Sequence, residues 1–100
     1  MPRISTHILD TSRGKPGAGI AVELHKGQEV IASARTNPDG RTDQPLLEKD
    51  TLDPGEYTLI FHTGGFFGPI VIRFQLTNGA ENYHIPLLLS PFGYTTYRGS

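Results

Sequence analysis

Alternation of apolar and polar residues is the feature that most constrains this chain. Apolar side chains recur at every second position in five separate stretches, and no stretch of ten residues keeps an apolar stripe at helical spacing. A period of two is typical of β-strands with one buried face, because successive side chains point to opposite faces. The expected inward-facing sets are Ile20, Val22 and Leu24; Val30, Ala32 and Ala34; Tyr57, Leu59 and Phe61; Ile70, Ile72, Phe74 and Leu76; and Tyr83, Ile85, Leu87 and Leu89.

Glycine and proline separate these stretches and mark turns. The turn signals lie at residues 13–17, 26–27, 37–40, 53–55 and 77–79. Many short strands joined by such turns predict an all-β sandwich or barrel, and 100 residues suit a single domain spanning 1–100. At most one short helical turn is expected, around Gln44 to Lys49.

Two strands carry apolar residues on faces that should be polar in a monomer. Val71 lies on the outer face of its strand, and Leu88 stands between Leu87 and Leu89. A strand that is apolar on both faces is usually covered, and in so small a chain another subunit is the expected cover. Pro86 has no N–H to donate to a ladder, so it predicts an edge strand or a bulge.

Composition excludes several classes of protein. The formal net charge is −1, so the basic surface of a nucleic-acid-binding protein is absent, and no apolar run is long enough to cross a membrane. There is no cysteine, which excludes a disulfide framework and a thiolate metal site. The first residues, Met1 to Ile4, contain no apolar signal core, and we therefore expect a cytoplasmic protein.

The four histidines do not form a sequence motif for metal binding. His7, His25, His62 and His84 lie far apart, with no H-x-H or H-E-x-x-H pair, and no phosphate- or dinucleotide-binding glycine pattern occurs. We therefore expect neither a metal nor a cofactor. His25 and His62 fall on polar strand faces and are expected to be solvated.

Four separated segments resemble one family. They are Ser5-Thr6-His7-Ile8-Leu9-Asp10, Thr36-Asn37-Pro38-Asp39-Gly40-Arg41, Tyr83-His84-Ile85-Pro86-Leu87-Leu88-Leu89-Ser90-Pro91 and Tyr97-Arg98-Gly99-Ser100. Together they look like the 5-hydroxyisourate hydrolases, the enzymatic transthyretin-like proteins of urate breakdown. The resemblance runs from residue 4 to residue 100. It implies a two-sheet β-sandwich of the transthyretin (prealbumin) type and a homotetramer built as a dimer of dimers, with active sites in a channel between the dimers.

The resemblance also implies the site and the reaction. His7, Arg41, His84 and Ser100 match the family's catalytic positions, and Tyr97 belongs to the same tail and is expected to line the substrate pocket. The implied reaction opens a ring C–N bond of 5-hydroxyisourate to give 2-oxo-4-hydroxy-4-carboxy-5-ureidoimidazoline. The residue types suit it, because histidine can activate water near neutral pH and a guanidinium can hold a developing oxyanion. Which histidine activates water is left open.

Two other interpretations compete with the enzyme. One is a non-catalytic small-ligand carrier of the transthyretin kind, and the other is a plain β-sandwich interaction module. Carriers lack the hydrolase residues, which this chain has as a set, and a plain module does not explain four separated motifs. The chain departs from the family after Thr63, where relatives usually carry a longer segment with a short helix. Here Gly64 to Pro69 leads directly into Ile70, and His62 stands where relatives more often have Asp.

Overall fold

The chain folds into nine β-strands and no helix. The computed structural model describes all 100 residues, Met1–Ser100. The strands are β1 (Arg3–Asp10), β2 (Lys15–Pro16), β3 (Ala21–Lys26), β4 (Glu29–Arg35), β5 (Leu47–Glu48), β6 (Gly55–His62), β7 (Pro69–Leu76), β8 (Tyr83–Ser90) and β9 (Gly93–Thr96). The structure contains no helix with the length and apolar character needed to cross a membrane.

The strands form two sheets whose apolar faces share one core. One sheet has the order β2-β1-β8-β9, with β5 also paired to β1, and the other has the order β4-β3-β6-β7. Fourteen buried apolar side chains from both sheets and their connections fill the space between them. The predicted all-β, two-sheet sandwich is therefore confirmed. The alternating sets on β3, β6, β7 and β8 face inward as expected.

The parallel pairing of β1 with β8 decides which residues face away from the core. Ile4, Thr6 and Ile8 are buried, so the side chains between them lie on the outer face of the first sheet. In the β1–β8 register Ser5 stands opposite His84, and His7 stands opposite Pro86. Two motifs that are almost 80 residues apart in sequence thus meet on one face.

The segment Gln44 to Lys49, where at most one short helical turn was expected, contains no helix. This segment is extended, and Leu47–Glu48 pairs with Arg3–Ile4 at the edge of the first sheet. The Leu46 N–H donates to the Ile4 carbonyl at 2.9 Å, and the Leu46 side chain is buried in the core. The open edge of β1 supplies hydrogen bonds that a single helical turn would lack, because short helices leave most of their terminal groups unpaired.

The inward position predicted for Val30 is also wrong. Leu24 pairs with Ala32 but His25 pairs with Val30, so Ile31 is an extra residue in β4. Such a bulge reverses the alternation, because one added residue moves the following side chains to the other face. Val30 is therefore 52% exposed, and Ile31 packs against the core in its place.

Pro86 lies in a central strand, not at an edge. Strand β8 is flanked by β1 and β9. On the β9 side the ladder runs only as far as Leu87 and Thr96, and contact resumes at an isolated bridge between His84 and Gly99. The missing N–H of Pro86 is therefore accommodated by a local interruption of the pairing.

The short segment after Thr63 forms a tight turn between β6 and β7. The Gly68 N–H donates to the Gly65 carbonyl at 2.9 Å, and the Thr63 hydroxyl donates to the Gly68 carbonyl at 2.7 Å. No helix interrupts the connection between these two strands. Phe66 and Phe67 are left exposed at its tip.

Candidate active site

His84 is held on the outer face of the first sheet by contacts on two sides. Its ring Nδ1 lies 2.9 Å from the Ser5 hydroxyl on the neighbouring strand. Its backbone carbonyl accepts a hydrogen bond of 2.7 Å from the Gly99 N–H of the C-terminal tail. Its other ring nitrogen, Nε2, has no hydrogen-bond partner within the chain, so it is available to a bound molecule.

A hydrogen-bonded turn at residues 37–41 brings Arg41 to the same face. The Asn37 side-chain oxygen accepts hydrogen bonds from the N–H groups of Asp39 (2.9 Å) and Arg41 (3.2 Å). The Gly40 carbonyl accepts a 2.8 Å hydrogen bond from Ile8, and Arg41 forms an isolated bridge with His7. Gly40 has a φ of +77°, and a Cβ added there would overlap the Ile8 carbonyl, so a side chain would be both strained and obstructed.

His7 extends from β1 next to this turn. Its Nε2 lies 2.9 Å from the Asp39 carbonyl, which can only accept, so the histidine donates. The neutral form of His7 therefore carries its hydrogen on Nε2 and leaves Nδ1 as the acceptor. His7 stands two residues from Ser5 on the same strand face, beside the pocket that Arg41 enters.

The C-terminal tail closes one side of the site. The Arg98 guanidinium stacks over the Tyr83 ring at 4.3 Å and donates to the Asn82 carbonyl at 3.1 Å. Gly99 then passes directly over His84, where a Cβ would lie 2.6 Å from the ring Cδ2. This close approach requires glycine, and it carries the last residue, Ser100, to the pocket.

The pocket is a polar hollow of about 250 Å³. That volume is close to the lower end of roughly 300–1,000 Å³ that is common for small-molecule sites. Its lining contains two guanidinium groups and an imidazole but no carboxylate side chain: Arg3, Ser5, Arg41, Asn82, His84 and Ser100. The hollow therefore favours a small anion or a molecule rich in carbonyl oxygens.

The environment keeps His84 in its neutral form. Burial lowers the pKa of His84 below its ordinary value of 6.5, and the nearby charges of Arg41 and His7 lower it further. Desolvation and like charge both disfavour the imidazolium. At neutral pH His84 is thus ready to accept a proton.

The structure brings together three of the predicted site residues and places the others nearby or elsewhere. Arg41, His84 and Ser100 line the same hollow. His7 lies beside it and is joined to the Arg41 turn. Tyr97 is half exposed and lines a different cavity, between the edge strands β7 and β9.

Sequence reasoning missed three lining residues. Arg3, Ser5 and Asn82 each precede or flank a predicted site histidine. The alternation of β1 could have identified Arg3 and Ser5, because both share a strand face with His7. Asn82 carries no comparable signal, since it lies in the connection before β8.

Both His25 and His62 lie on the polar outer face as expected, and His62 is exposed, but His25 is largely covered, with 17% of its side chain accessible. Both side chains bind Glu23 on the outer face of the second sheet, His25 at 2.9 Å and His62 at 2.6 Å. Hydrogen bonds from His25 and then His62 lower the pKa of Glu23 below its ordinary value. The cross-strand register explains the contact, because Ala21 pairs with His62 and Glu23 lies next along the same face. No group of three His, Cys, Asp or Glu side chains is arranged to hold a metal ion.

The fold and the site together define a class: a two-sheet sandwich with an arginine–histidine pocket on the outer face of one sheet. A family model described as the HIUase/Transthyretin family matches residues 4–99. The chain belongs to this family.

Individual relatives agree with this assignment. The chain is 43% identical to a 5-hydroxyisourate hydrolase of Pseudomonas aeruginosa, over all of this chain and 93% of the relative. That alignment runs over 117 positions, so it must leave gaps in a chain of 100 residues. A Klebsiella pneumoniae 5-hydroxyisourate hydrolase structure superposes with a TM-score of 0.89 at 36% identity, with full coverage of both chains. Sea bream transthyretin in complex with thyroxine superposes at 0.88 with 26% identity, covering 97% of this chain and 94% of that one.

Proposed function

We propose that this protein is a hydrolase that opens a ring C–N bond of 5-hydroxyisourate, giving 2-oxo-4-hydroxy-4-carboxy-5-ureidoimidazoline in urate degradation. One observation carries the proposal: Arg41, His84 and Ser100, from three distant segments, line one hollow, with His7 beside it. The relatives named 5-hydroxyisourate hydrolase support the choice of substrate. That the enzyme works in the cytoplasm stays a prediction.

In the proposed mechanism His84 activates water. The lowered pKa of His84 and its unbonded Nε2 suit a group that takes a proton from water as the oxygen attacks the ring carbonyl. Arg41 holds the carbonyl oxygen as negative charge develops there. The ring C–N bond then breaks, and the leaving nitrogen takes the Nδ1 proton of an imidazolium His7, whose Nε2 hydrogen stays on the Asp39 carbonyl. The new carboxylic acid releases a proton to solvent and becomes a carboxylate, and the proton that His84 took from water returns through solvent to His7.

The tail completes the proposed site. We assign to the Ser100 hydroxyl a hydrogen bond to the substrate, because Ser100 lines the hollow next to His84. Tyr97 lines a cavity of its own in the single chain, so a role for Tyr97 in binding substrate requires the tail to contribute to a shared pocket in an assembly. No metal or cofactor has a step in this scheme.

We also propose that the active form is a homotetramer, a dimer of dimers. Strands β7 and β9 are edge strands, one from each sheet, and line one common cavity, so a second copy can extend both sheets side by side. Four exposed aromatic rings lie in mutual contact beside these edges: Phe66, Phe67, Phe92 and Tyr94. The hollow itself is an open surface of the first sheet, and a facing dimer would convert it into a channel.

The test is to add the protein to freshly prepared 5-hydroxyisourate and follow the decay of its absorbance against buffer. The proposal predicts decay in proportion to enzyme concentration, and a rate equal to that of buffer would contradict it. Light scattering coupled to size exclusion tests the assembly: a particle with four times the 11.0 kDa mass of one chain is expected. A monomer at micromolar concentration would overturn the tetramer.

A carrier of the transthyretin kind is the second candidate, because the sea bream protein of the same fold is bound to thyroxine. A carrier would bind thyroxine and leave 5-hydroxyisourate untouched. Calorimetric titration with thyroxine, beside the absorbance assay on the same sample, separates the two functions.

A further inference from the structure

The side chain of Ser5 makes one hydrogen bond within the chain, and that bond is to His84. The Ser5 Oγ lies 2.9 Å from the His84 Nδ1, and both residues are partly buried on the outer face of the sheet. The pairing is dictated by the backbone, because Ser5 and His84 are direct partners in the parallel β1–β8 register. A shift of one residue would turn either side chain into the core.

The direction of this hydrogen bond decides what His84 presents to the hollow. A hydroxyl can either donate or accept, whereas a neutral imidazole has one N–H and one lone pair. If Ser5 accepts from Nδ1–H, the lone pair is on Nε2. The two guanidinium groups that line the hollow, from Arg3 and Arg41, are donors only. A lone pair on the His84 Nε2 therefore gives the hollow a basic group that can accept a proton, whereas a hydrogen on Nε2 would only add another hydrogen-bond donor.

We propose that Ser5 is a positioning residue for the hydrolysis: its hydroxyl accepts the Nδ1 hydrogen of His84 and so directs the Nε2 lone pair at the attacking water. This role rests on the proposed function. When water is activated, its proton moves to Nε2 and its oxygen bonds to the ring carbonyl carbon. The Nδ1–H bond to Ser5 persists unchanged, because the imidazolium also carries a hydrogen on Nδ1.

A neutral partner suits this histidine. The titratable side chains facing His84 are Arg41 from the 37–41 turn and Arg3 and His7 from β1, and no carboxylate side chain lines the hollow. The Glu48 carboxylate lies outside it, 3.7 Å from the Arg3 guanidinium. A carboxylate at position 5 would stabilise the imidazolium and raise the pKa of His84, whereas a hydroxyl orients the ring and leaves it unprotonated at neutral pH.

The first test reads the tautomer directly and needs no substrate. Two-bond ¹H–¹⁵N correlation spectra of the histidine rings distinguish a protonated Nδ1 from a protonated Nε2. In the wild-type protein near neutral pH, His84 is expected in the Nδ1–H form. In Ser5→Ala this preference should be lost, while the His7 ring keeps the Nε2–H form set by the Asp39 carbonyl. An Nε2–H form of His84 in the wild type would overturn the proposal.

The second test is kinetic, with three substitutions at position 5. Ser5→Ala should lower kcat by about 10- to 100-fold with KM little changed, since misplacement of a reacting group costs rate. Ser5→Thr keeps a hydroxyl and should restore most of the activity. Ser5→Asp should move the acid limb of the pH–rate profile to higher pH by about one pH unit or more. Thermal melting of each variant checks that the fold is kept.

These outcomes distinguish a failure of the proposed Ser5 role from a failure of the proposed function. If Ser5→Ala raises KM and leaves kcat unchanged, Ser5 binds substrate directly and the positioning role is wrong. An acid limb that stays in place in Ser5→Asp contradicts the hydrogen bond to His84. A wild-type protein that does not hydrolyse 5-hydroxyisourate removes the proposed function, but the tautomer spectra still decide whether Ser5 orients His84.

Discussion

His7 donates its Nε2 hydrogen to the backbone carbonyl of Asp39 across 2.9 Å. Because a carbonyl oxygen only accepts, this hydrogen stays on Nε2 whether His7 is neutral or protonated, and proton exchange takes place at Nδ1. Asp39 belongs to the turn that carries Arg41, so this hydrogen bond ties the ring of His7 to the turn from which the Arg41 side chain extends.

A His7→Gln substitution tests the role of His7 as proton donor. Glutamine can still donate to the Asp39 carbonyl, but it cannot deliver a proton to the leaving nitrogen. We expect activity to fall by about 10²- to 10⁴-fold, the usual contribution of a general acid or base, with an unchanged melting temperature. Initial rates of 5-hydroxyisourate decay and a thermal melt measure both effects. Near wild-type rates would show that His7 only supports the turn.

The activity should depend on pH through His84. Since burial, Arg41 and His7 lower the pKa of His84 below 6.5, its base form predominates at neutral pH, and the acid limb of kcat/KM that it sets should lie below pH 6.5. The stability of the fold should change with pH in the same direction. Because folding lowers the pKa of His84, the unfolded chain takes up a proton at this side chain more readily than the folded protein does. The contribution of neutral His84 to the free energy of unfolding is therefore complete above its pKa in the unfolded chain and is lost as pH falls through its pKa in the folded protein. Rates measured from pH 5 to 8 test this, and an acid limb above 6.5 would contradict it.

A Gly99→Ala substitution should damage the site more than the fold. The added Cβ would stand 2.6 Å from the His84 Cδ2, so the ring or the tail must move. Gly65→Ala is the matched control, because nothing lies within 4 Å of a Cβ at that turn position. We expect a loss of about 10²-fold for Gly99→Ala and wild-type rates for Gly65→Ala, since misplacement of about 1 Å costs that much. Equal activities would show that the tail need not pass over His84.

An Arg41→Lys substitution tests whether the site needs a guanidinium or only a charge. The Arg41 side chain takes part in none of the chain's ion pairs, so its replacement disturbs no internal partner. A lysine keeps the positive charge but not the two-pronged hydrogen bonding, and we expect kcat/KM to fall by about 10²-fold or more. Wild-type kcat/KM in the lysine variant would reduce Arg41 to electrostatic attraction of the substrate.

Much of the sandwich could be predicted from alternation, and the failures have physical causes. The inward faces of β3, β6, β7 and β8 follow the pattern, because each is half buried over its length. Val30 was misplaced because a bulge, which leaves no mark in the alternation, adds Ile31 to its strand. The extended conformation of the Gln44 to Lys49 segment could not be predicted locally, because it is set by pairing with the edge of β1, more than 40 residues away.

The candidate site was predictable only in part. The segments that carry His7, Arg41, His84 and Ser100 were identified by resemblance, since nothing in their spacing shows that they meet. The contact of Ser5 with His84 depends on a parallel register between strands 79 residues apart, which local pattern does not specify. The Glu23 contacts of His25 and His62 were missed for the same reason, because they depend on cross-strand pairing.

We assign the proposed hydrolysis of 5-hydroxyisourate to the hollow on the first sheet and not to another part of the protein. The most direct test compares initial rates for the wild type, His84→Ala and His62→Ala, a matched histidine on the outer face of the opposite sheet. We predict a loss of about 10²- to 10⁴-fold for His84→Ala and an unchanged rate for His62→Ala. Wild-type activity in a folded His84→Ala protein would contradict the account.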